Sequence, residues 1–596
     1  MTPWLKFQVF LRVRFSSQFA ELINFFPHSR RLSRLQSRAP VFGGDTPSVC
    51  AMTDQISAKA IRIGVAVFVS SAIVLILLRS KGCFAVDGGF RCLDVYRRQN
   101  LFFHGNHHLL YPLNVLVWTR LLSALGFQPG GPLEFFSAVE VMNCLAGAGC
   151  LSILSWLTYL STFSAQLAFG TAAGFGLTGA FIAHATNANE PMLAIFWSLL
   201  GILFAVVSVK RKSVWPILLS GLLFSLAMAT YRSAVLFAPA ALVLIIQDRL
   251  VKNGRNYVDR DVLGRIGSFT AAWFIGCVGI YAWAYSHMGD RQFAEMVRHF
   301  FAQEGARAYL GFGIGRLLNV PLGLVRNVFP IVPDFSGIRN LFADQKVSAV
   351  LLFSVAAVVT AIIVLCCRQV LKNWNQLHLN QRIGFLASSV GLVFTMIPVL
   401  IWNPYYDKLW IQPFCCLSLI TAIALTIMAR QGGYVLVLSK AVPPLVLIGV
   451  LLNLGRVIPS HTREPYEFKE AERMAALVGK QDFVVGGWDT VSTMYGALLA
   501  IDGNFLSLPS EAMLSGSNLW RPLRESISRT TAAGGKVYFL GLLDMPEPAW
   551  NSFLGTRCGV SYSEIDDYRA VAHLRARFRS RSGDVLLWQL GSDRER

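Results

Sequence analysis

This sequence has little charge. Only 15% of its 596 residues are Asp, Glu, Lys or Arg, against 54% hydrophobic, and mean hydropathy is +0.49. A soluble chain of this length would be less apolar and would divide into several domains. Acid is scarcer than base, with 34 Asp and Glu against 54 Lys and Arg and a net charge of +20. The eleven cysteines are scattered and form no CxxC, which removes the zinc and redox signatures. Cys83 and Cys92 are either a disulfide on an oxidising face or two separate thiols. Gly486-Gly487 follows an apolar run without a GxGxxG pattern, so it gives no nucleotide signal.

What the chain has instead is a set of hydrophobic blocks with short polar gaps. Blocks at 61–78, 134–158, 163–183, 191–209, 265–286, 347–367, 383–401, 409–429 and 434–453 are each near the length of a membrane-crossing helix. Helices satisfy their own backbone hydrogen bonds in hydrocarbon, so repeated blocks of this length predict a polytopic α-helical membrane protein. The basic residues fall in the gaps, at 210–212, 249–265, 368–382 and more weakly 430–440. That is a positive-inside pattern and argues against nucleic acid as the partner.

Placing those four gaps in the cytoplasm predicts about 11 spans in the inner (plasma) membrane, with a cytoplasmic N-terminus. The stretch 214–247 then becomes a tight hairpin with Thr230-Tyr231-Arg232-Ser233 at its outer tip. Residues 109–126 contain Arg120 and would invert the later parity if they crossed, so they are expected to lie at the outer interface. Residues 1–51 are rich in arginine and are expected to be a non-native or disordered extension, with Met52 as the natural start. Residues 52–455 are expected to form the membrane domain and 456–596 a small extracytoplasmic α/β domain. In that tail, 482–489, 536–543 and 585–589 read as strands and 466–479, 491–500 and 518–533 as helices.

The outer loops carry the candidate chemistry. The first holds Asp87, Arg97, Arg98, His107, His108 and Tyr111-Pro112. A carboxylate at the bilayer edge suits a general base on an acceptor hydroxyl, and the cations suit a phosphate. A solvated loop acid is the plainer alternative for Asp87. Glu190 precedes a proline at the start of a span, either as a helix cap favoured by the dipole or as a second acid in the same cavity. Arg232 stands in an apolar stretch, where an unpaired arginine at the bilayer centre costs roughly 2.5–3.5 kcal/mol. It either snorkels to headgroups or meets a lipid phosphate. Tyr405 and Lys408, in Trp402-Asn-Pro-Tyr-Tyr-Asp-Lys408, are either part of an aromatic belt or a second phosphate clamp.

The order of these features resembles the GT-C superfamily of integral-membrane glycosyltransferases. The lipid A aminoarabinose transferase and protein O-mannosyltransferase types are nearest in pattern. The likeness covers about residues 60–430. It rests on Asp87 after the first span, His107-His108-Leu-Leu-Tyr-Pro, Asn189-Glu190-Pro191, the hairpin Gly221 to Arg232, and Phe300-Phe301 in a long outer loop. It implies transfer of a sugar from a polyprenyl-phosphate-linked donor to a lipid, glycan or protein acceptor at the outer face. Asp87 and Glu190 would be the catalytic acids, and Arg97, Arg98, His107, His108, Tyr111, Arg232, Tyr405 and Lys408 would bind substrate. No metal ligand is assigned, although a divalent metal is compatible with the family. The chain departs from the pattern at Asp87-Gly88, where many relatives carry Asp-Glu, and at Glu304-Gly305, where the aminoarabinose transferase carries Glu-His. Two other classes remain: a lipid-linked-sugar transporter or flippase, and a non-catalytic polyprenol-binding assembly protein. Against the first, no inverted repeat or matched pair of broken spans is visible.

Overall fold

A computed structural model describes residues 49–80, 109–129, 131–211, 213–247, 260–286, 314–328, 346–402, 404–431, 466–487, 504–508, 520–551, 560–580 and 583–591, with isolated residues between them. Residues 59–596 form one unit and 1–58 another. Met52 lies in the first helix, but residues 1–48, expected to be an extension, are outside the described set. Asp87, Arg97, Arg98, His107, His108, Phe300, Phe301 and Glu304 are outside it as well.

The membrane part is a bundle of apolar helices. Among the described residues, seven are long and apolar enough to cross a bilayer: Ala58–Leu77, Glu134–Thr162, Glu190–Ser208, Arg260–Ala284, Leu352–Lys372, Leu379–Ile401 and Ile411–Arg430. They belong to α1 (Val49–Leu77), α3 (Pro132–Thr162), α6 (Glu190–Arg211), α9 (Arg260–Ser286), α11 (Lys346–Lys372), α12 (Leu379–Ile401) and α13 (Ile411–Gln431). The block 163–183 differs from expectation. It is a pair, α4 (Ala165–Gly176) and α5 (Gly179–Ala185), bent by 75°. The sequence contains its own punctuation: Ser164 and Thr178 are both N-caps, accepting hydrogen bonds from Leu167 N–H and Phe181 N–H. Phe163 ends α3 in the left-handed region at φ 55°.

The hairpin 214–247 consists of α7 (Trp215–Thr230), a 3-10 turn Arg232–Phe237 and α8 (Ala238–Ile245). Its second arm packs on α6, where Phe237, Ala240 and Leu244 line the same cavity of about 270 Å³ as Leu199, Ile202 and Val206. Small residues let this layer close. A Cβ on Gly221 would stand 2.5 Å from the Phe269 carbonyl oxygen of α9. Ser220 and Ser225 donate across helices to the carbonyls of Gly201 at 2.8 Å and Trp273 at 2.7 Å. Such close approach and polar bridging substitute for the hydrophobic drive that lipid removes. The expected interfacial helix is α2 (Leu110–Ala124), 15 residues long. At 1.5 Å per residue it spans about 22 Å, less than the ~30 Å hydrocarbon core. The block 434–453 lies almost wholly outside the described residues.

The long loop 287–346 contributes α10 (Ile314–Val328), which carries Pro321 and packs Leu322 and Val325 on Leu352 and Ala356 of α11. The tail folds as α14 (Tyr466–Ala475), β1 (Phe483–Gly486), β2 (Phe505–Ser507), α15 (Trp520–Ala532), β3 (Val537–Leu540), α16 (Tyr562–Val571), β4 (Ala572–Ser580) and β5 (Gly583–Leu590). Its five-stranded sheet has the order β2-β1-β3-β5-β4, with β2, β1 and β3 parallel and β5 antiparallel to both neighbours. A small hydrophobic core of Phe483, Val485, Leu523, Ile527, Phe539 and Trp550 sits on it. This is the α/β domain expected of the tail, with β2, β4 and α16 added.

Candidate functional site

Three turns of the bundle meet at one place. The first is the short loop between α5 and α6. Asn143, fully buried on α3, donates from Nδ2 to the carbonyls of Asn187 at 2.6 Å and Asn189 at 2.5 Å, holding that loop to the helix. The second is the turn Asp407–Leu409 between α12 and α13, where Trp410 Nε1 donates to the Pro404 carbonyl at 2.6 Å. The third is the hairpin tip at Tyr231.

Glu190 begins α6 and is fully buried. Lys408 places Nζ 3.9 Å from its Oε1, with only 10% of the lysine side chain exposed. The same ammonium lies 5.6 Å from the centroid of the Tyr231 ring and 4.7 Å from that of Tyr406. A carboxylate and an ammonium taken out of water are costly, and facing each other and two aromatic faces offsets part of that cost. Beside them, His184 Nε2 is 3.2 Å from Asp407 Oδ1. Burial works against ionising Asp407, but His184, the Lys408 N–H and the Lys408 charge outweigh it and bring the carboxyl down to about 2. Asp407 is therefore an anion at neutral pH.

Tyr111, at the start of α2, is fully buried and faces Cys92, Glu190 and Asn143. Burial first, then Cys92 and Glu190, push its phenol well above the ordinary tyrosine range, so it stands as a neutral hydroxyl. The exit of α1 reaches the same place, as Ser80 N–H donates to the Thr186 carbonyl at 3.0 Å. Just below, Ser80 Oγ donates to the buried Glu140 of α3, and Arg79 Nε donates to Ser137 Oγ at 3.1 Å.

The sequence-derived residues separate into three groups. Glu190, Lys408 and Tyr111 come together. Arg232 and Tyr405 stand close by with other partners: the Arg232 guanidinium interacts with the Tyr281 hydroxyl of α9. Leu109, at the start of α2, packs on Tyr281 and Ala284. Tyr405 lies under the Arg326 guanidinium of α10 at 6.0 Å, and burial pushes its phenol up to about 12. The loop-1 residues form the third group, outside the described set. Sequence reasoning missed Glu140, Asn143, His184 and Asp407. Glu140 had a signal, an acid inside the apolar block 134–158. Asn143 and His184 carried none. Among the described residues, no three His, Cys, Asp or Glu side chains converge as metal ligands would.

Neither a protein-family model nor a curated protein sequence matches the chain. Solved structures do. ArnT from Cupriavidus metallidurans bound to undecaprenyl phosphate superimposes at a TM-score of 0.51 and 11% identity, over 88% of this chain and 97% of that one. The same protein in the apo state gives a TM-score of 0.52 at 11% identity with the same coverage. The fold is ArnT-like. At 88% of the chain, the match extends past the 60–430 region that carried the resemblance. Within this fold, the Glu190–Lys408 pair lies where the turns preceding α6, α8 and α13 meet.

Proposed function

We propose that the chain is a membrane glycosyltransferase that moves a sugar from a polyprenyl-phosphate-linked donor to a lipid, glycan or protein acceptor at the outer face. The observation that carries this is the buried Glu190–Lys408 pair on a GT-C-like fold. The ArnT structure with undecaprenyl phosphate bound supports the donor class. In this scheme an acceptor hydroxyl attacks C1 of the sugar and the C1–O bond to phosphate breaks. The lipid phosphate leaves as an anion, and the hydroxyl proton passes to Asp87 acting as general base. Lys408 meets the charge that grows on the leaving phosphate, a preorganised cation in a water-poor site. Glu190 holds that ammonium in place and is available to a sugar hydroxyl. Arg232 supplies a second, bidentate phosphate donor, with Tyr281 orienting it. Residues 52–455 are the catalytic membrane domain and 456–596 an extracytoplasmic accessory domain.

Purified protein in detergent tests this with a polyprenyl-phosphate-linked sugar and separate measures of binding and turnover. Lys408→Met should lower turnover by about 100-fold or more, as removal of one charge-stabilising donor does. Arg232→Ala should weaken donor binding, with Arg232→Lys recovering part of it. Binding of the lipid with no transfer to any hydroxyl acceptor class, including water, would instead favour a carrier or assembly protein.

A further inference from the structure

The groups around Glu190 and Lys408 form a closed circuit. The Glu190 backbone N–H donates to Asn189 Oδ1 at 2.9 Å. That bond fixes which way the Asn189 amide faces, because only its oxygen can accept. Its Nδ2 is then the atom 2.8 Å from His184 Nδ1. An amide NH₂ only donates, so His184 Nδ1 must offer a lone pair. The ring proton is left on Nε2, the nitrogen 3.2 Å from Asp407 Oδ1. Asp407 Oδ1 also accepts the Lys408 backbone N–H at 2.8 Å. Lys408 Nζ returns to Glu190 Oε1 at 3.9 Å and closes the loop. Asn189, His184 and Glu190 are all at most 5% exposed. Water is therefore a poor substitute for the contacts among these three, whereas the Asp407 carboxylate, 43% exposed, is open to solvent on its outer side.

We infer that His184 is a positioning residue for this site: held as the neutral Nε2–H tautomer between Asn189 and Asp407, it fixes the turn Asp407–Leu409 against the Glu190 loop and sets where Lys408 stands. His184 touches no reacting atom. It acts through its 3.2 Å contact with Asp407 Oδ1, the same oxygen that accepts the Lys408 backbone N–H. A proton added at Nδ1 would face the Asn189 NH₂ and break the circuit, so the arrangement selects one tautomer of one charge state. Two turns from different parts of the chain are joined by a single imidazole, and the lysine sits one residue from its anchor.

The kinetic consequence rests on the glycosyltransferase reading; the tautomer does not. His184→Ala should leave Lys408 present but displaced. Displacing a group that meets charge developing in the transition state lowers kcat more than it changes donor KM. A loss of about 10- to 100-fold in kcat is expected, the scale of a 1 Å misplacement, with donor KM close to wild type. His184→Gln carries a donor near the position of Nε2 and should regain part of kcat. His184→Asn reaches Asn189 but not Asp407 and should not. Equal loss in the Gln and Asn variants, or an unchanged kcat in the Ala variant, overturns the role. The same protein, labelled with ¹⁵N-histidine, gives the tautomer by NMR near neutral pH, the His184 signals being those lost in His184→Gln. The neutral Nε2–H form is expected, and Asn189→Leu should mix the tautomers. An Nδ1–H form or an imidazolium in the wild type overturns the inference even where transfer is seen. A wild type with no transfer but with the Nε2–H form refutes the enzymatic reading and leaves the circuit standing.

Discussion

Glu190 and Lys408 are each costly where they stand, and each offsets part of the other's cost. Breaking a buried pair by removing one partner typically destabilises by about 3–5 kcal/mol, because the other charge is left in the interior. Lys408→Met should therefore lower the melting temperature in detergent. Adding Glu190→Gln to that variant should recover most of the loss, since no charge is then stranded. Additive destabilisation in the double variant would mean that the two do not interact. These two residues could be picked from the sequence because a charge bordering an apolar run is conspicuous. The polar groups that orient them could not. Asn143 sits in the middle of α3 and His184 at the end of a seven-residue helix, and both look like ordinary satisfied side chains until Asn187, Asn189 and Asp407 are placed beside them. Arg232 shows the converse. It drew attention as a lone cation, yet its interaction with Tyr281 comes from α9, about fifty residues away, which no local pattern announces.

At the scale of elements, the position of Lys408 depends on how α10 meets the turn before α13. A Cβ on Gly323 would stand 2.0 Å from the Pro404 carbonyl oxygen and 3.3 Å from the Trp410 ring. That oxygen is the one Trp410 Nε1 bonds, so a methyl group there pushes on the backbone that carries Asp407 and Lys408. Gly323→Ala should cost about 1–3 kcal/mol, as overpacking does, and should also reduce turnover. A variant as stable and as active as the wild type would show that α10 does not brace this turn. Long apolar blocks were readable because hydrophobic length is a one-dimensional property. The bend at Leu177–Thr178 was hidden because the block stays apolar through it, and only the caps at Ser164 and Thr178 mark the break. β4 was hidden for another reason. Leu574, Ala576 and Phe578 alternate with Arg575, Arg577 and Arg579, a period-2 pattern. Its arginines suit the edge of a sheet, where charge discourages further pairing, and they make the segment look like loop.

For the whole molecule, we propose from charge parity that the site and the sheet domain share one side of the membrane. A reporter active only in the cytoplasm, fused after residue 596, should be silent; a strong signal would place the C-terminal domain on the cytoplasmic side and remove the proposed topology. The resemblance read from the sequence covered about 60 to 430, and the fold superimposes on ArnT over 88% of the chain at 11% identity. At that identity the likeness is one of fold. Sugar and acceptor are set by side chains, so they do not follow from the fold. The central claim is that this fold and this buried pair transfer a sugar from a polyprenyl-phosphate carrier. Mass spectrometry of the lipids and surface glycans from cells making the wild type, Asp87→Asn or Lys408→Met, against cells lacking the protein, tests it most directly. The account predicts a glycan or lipid that gains one sugar residue with the wild type only, while the unmodified acceptor persists with both variants. A product that is the same with the wild type, with both variants and without the protein would contradict it.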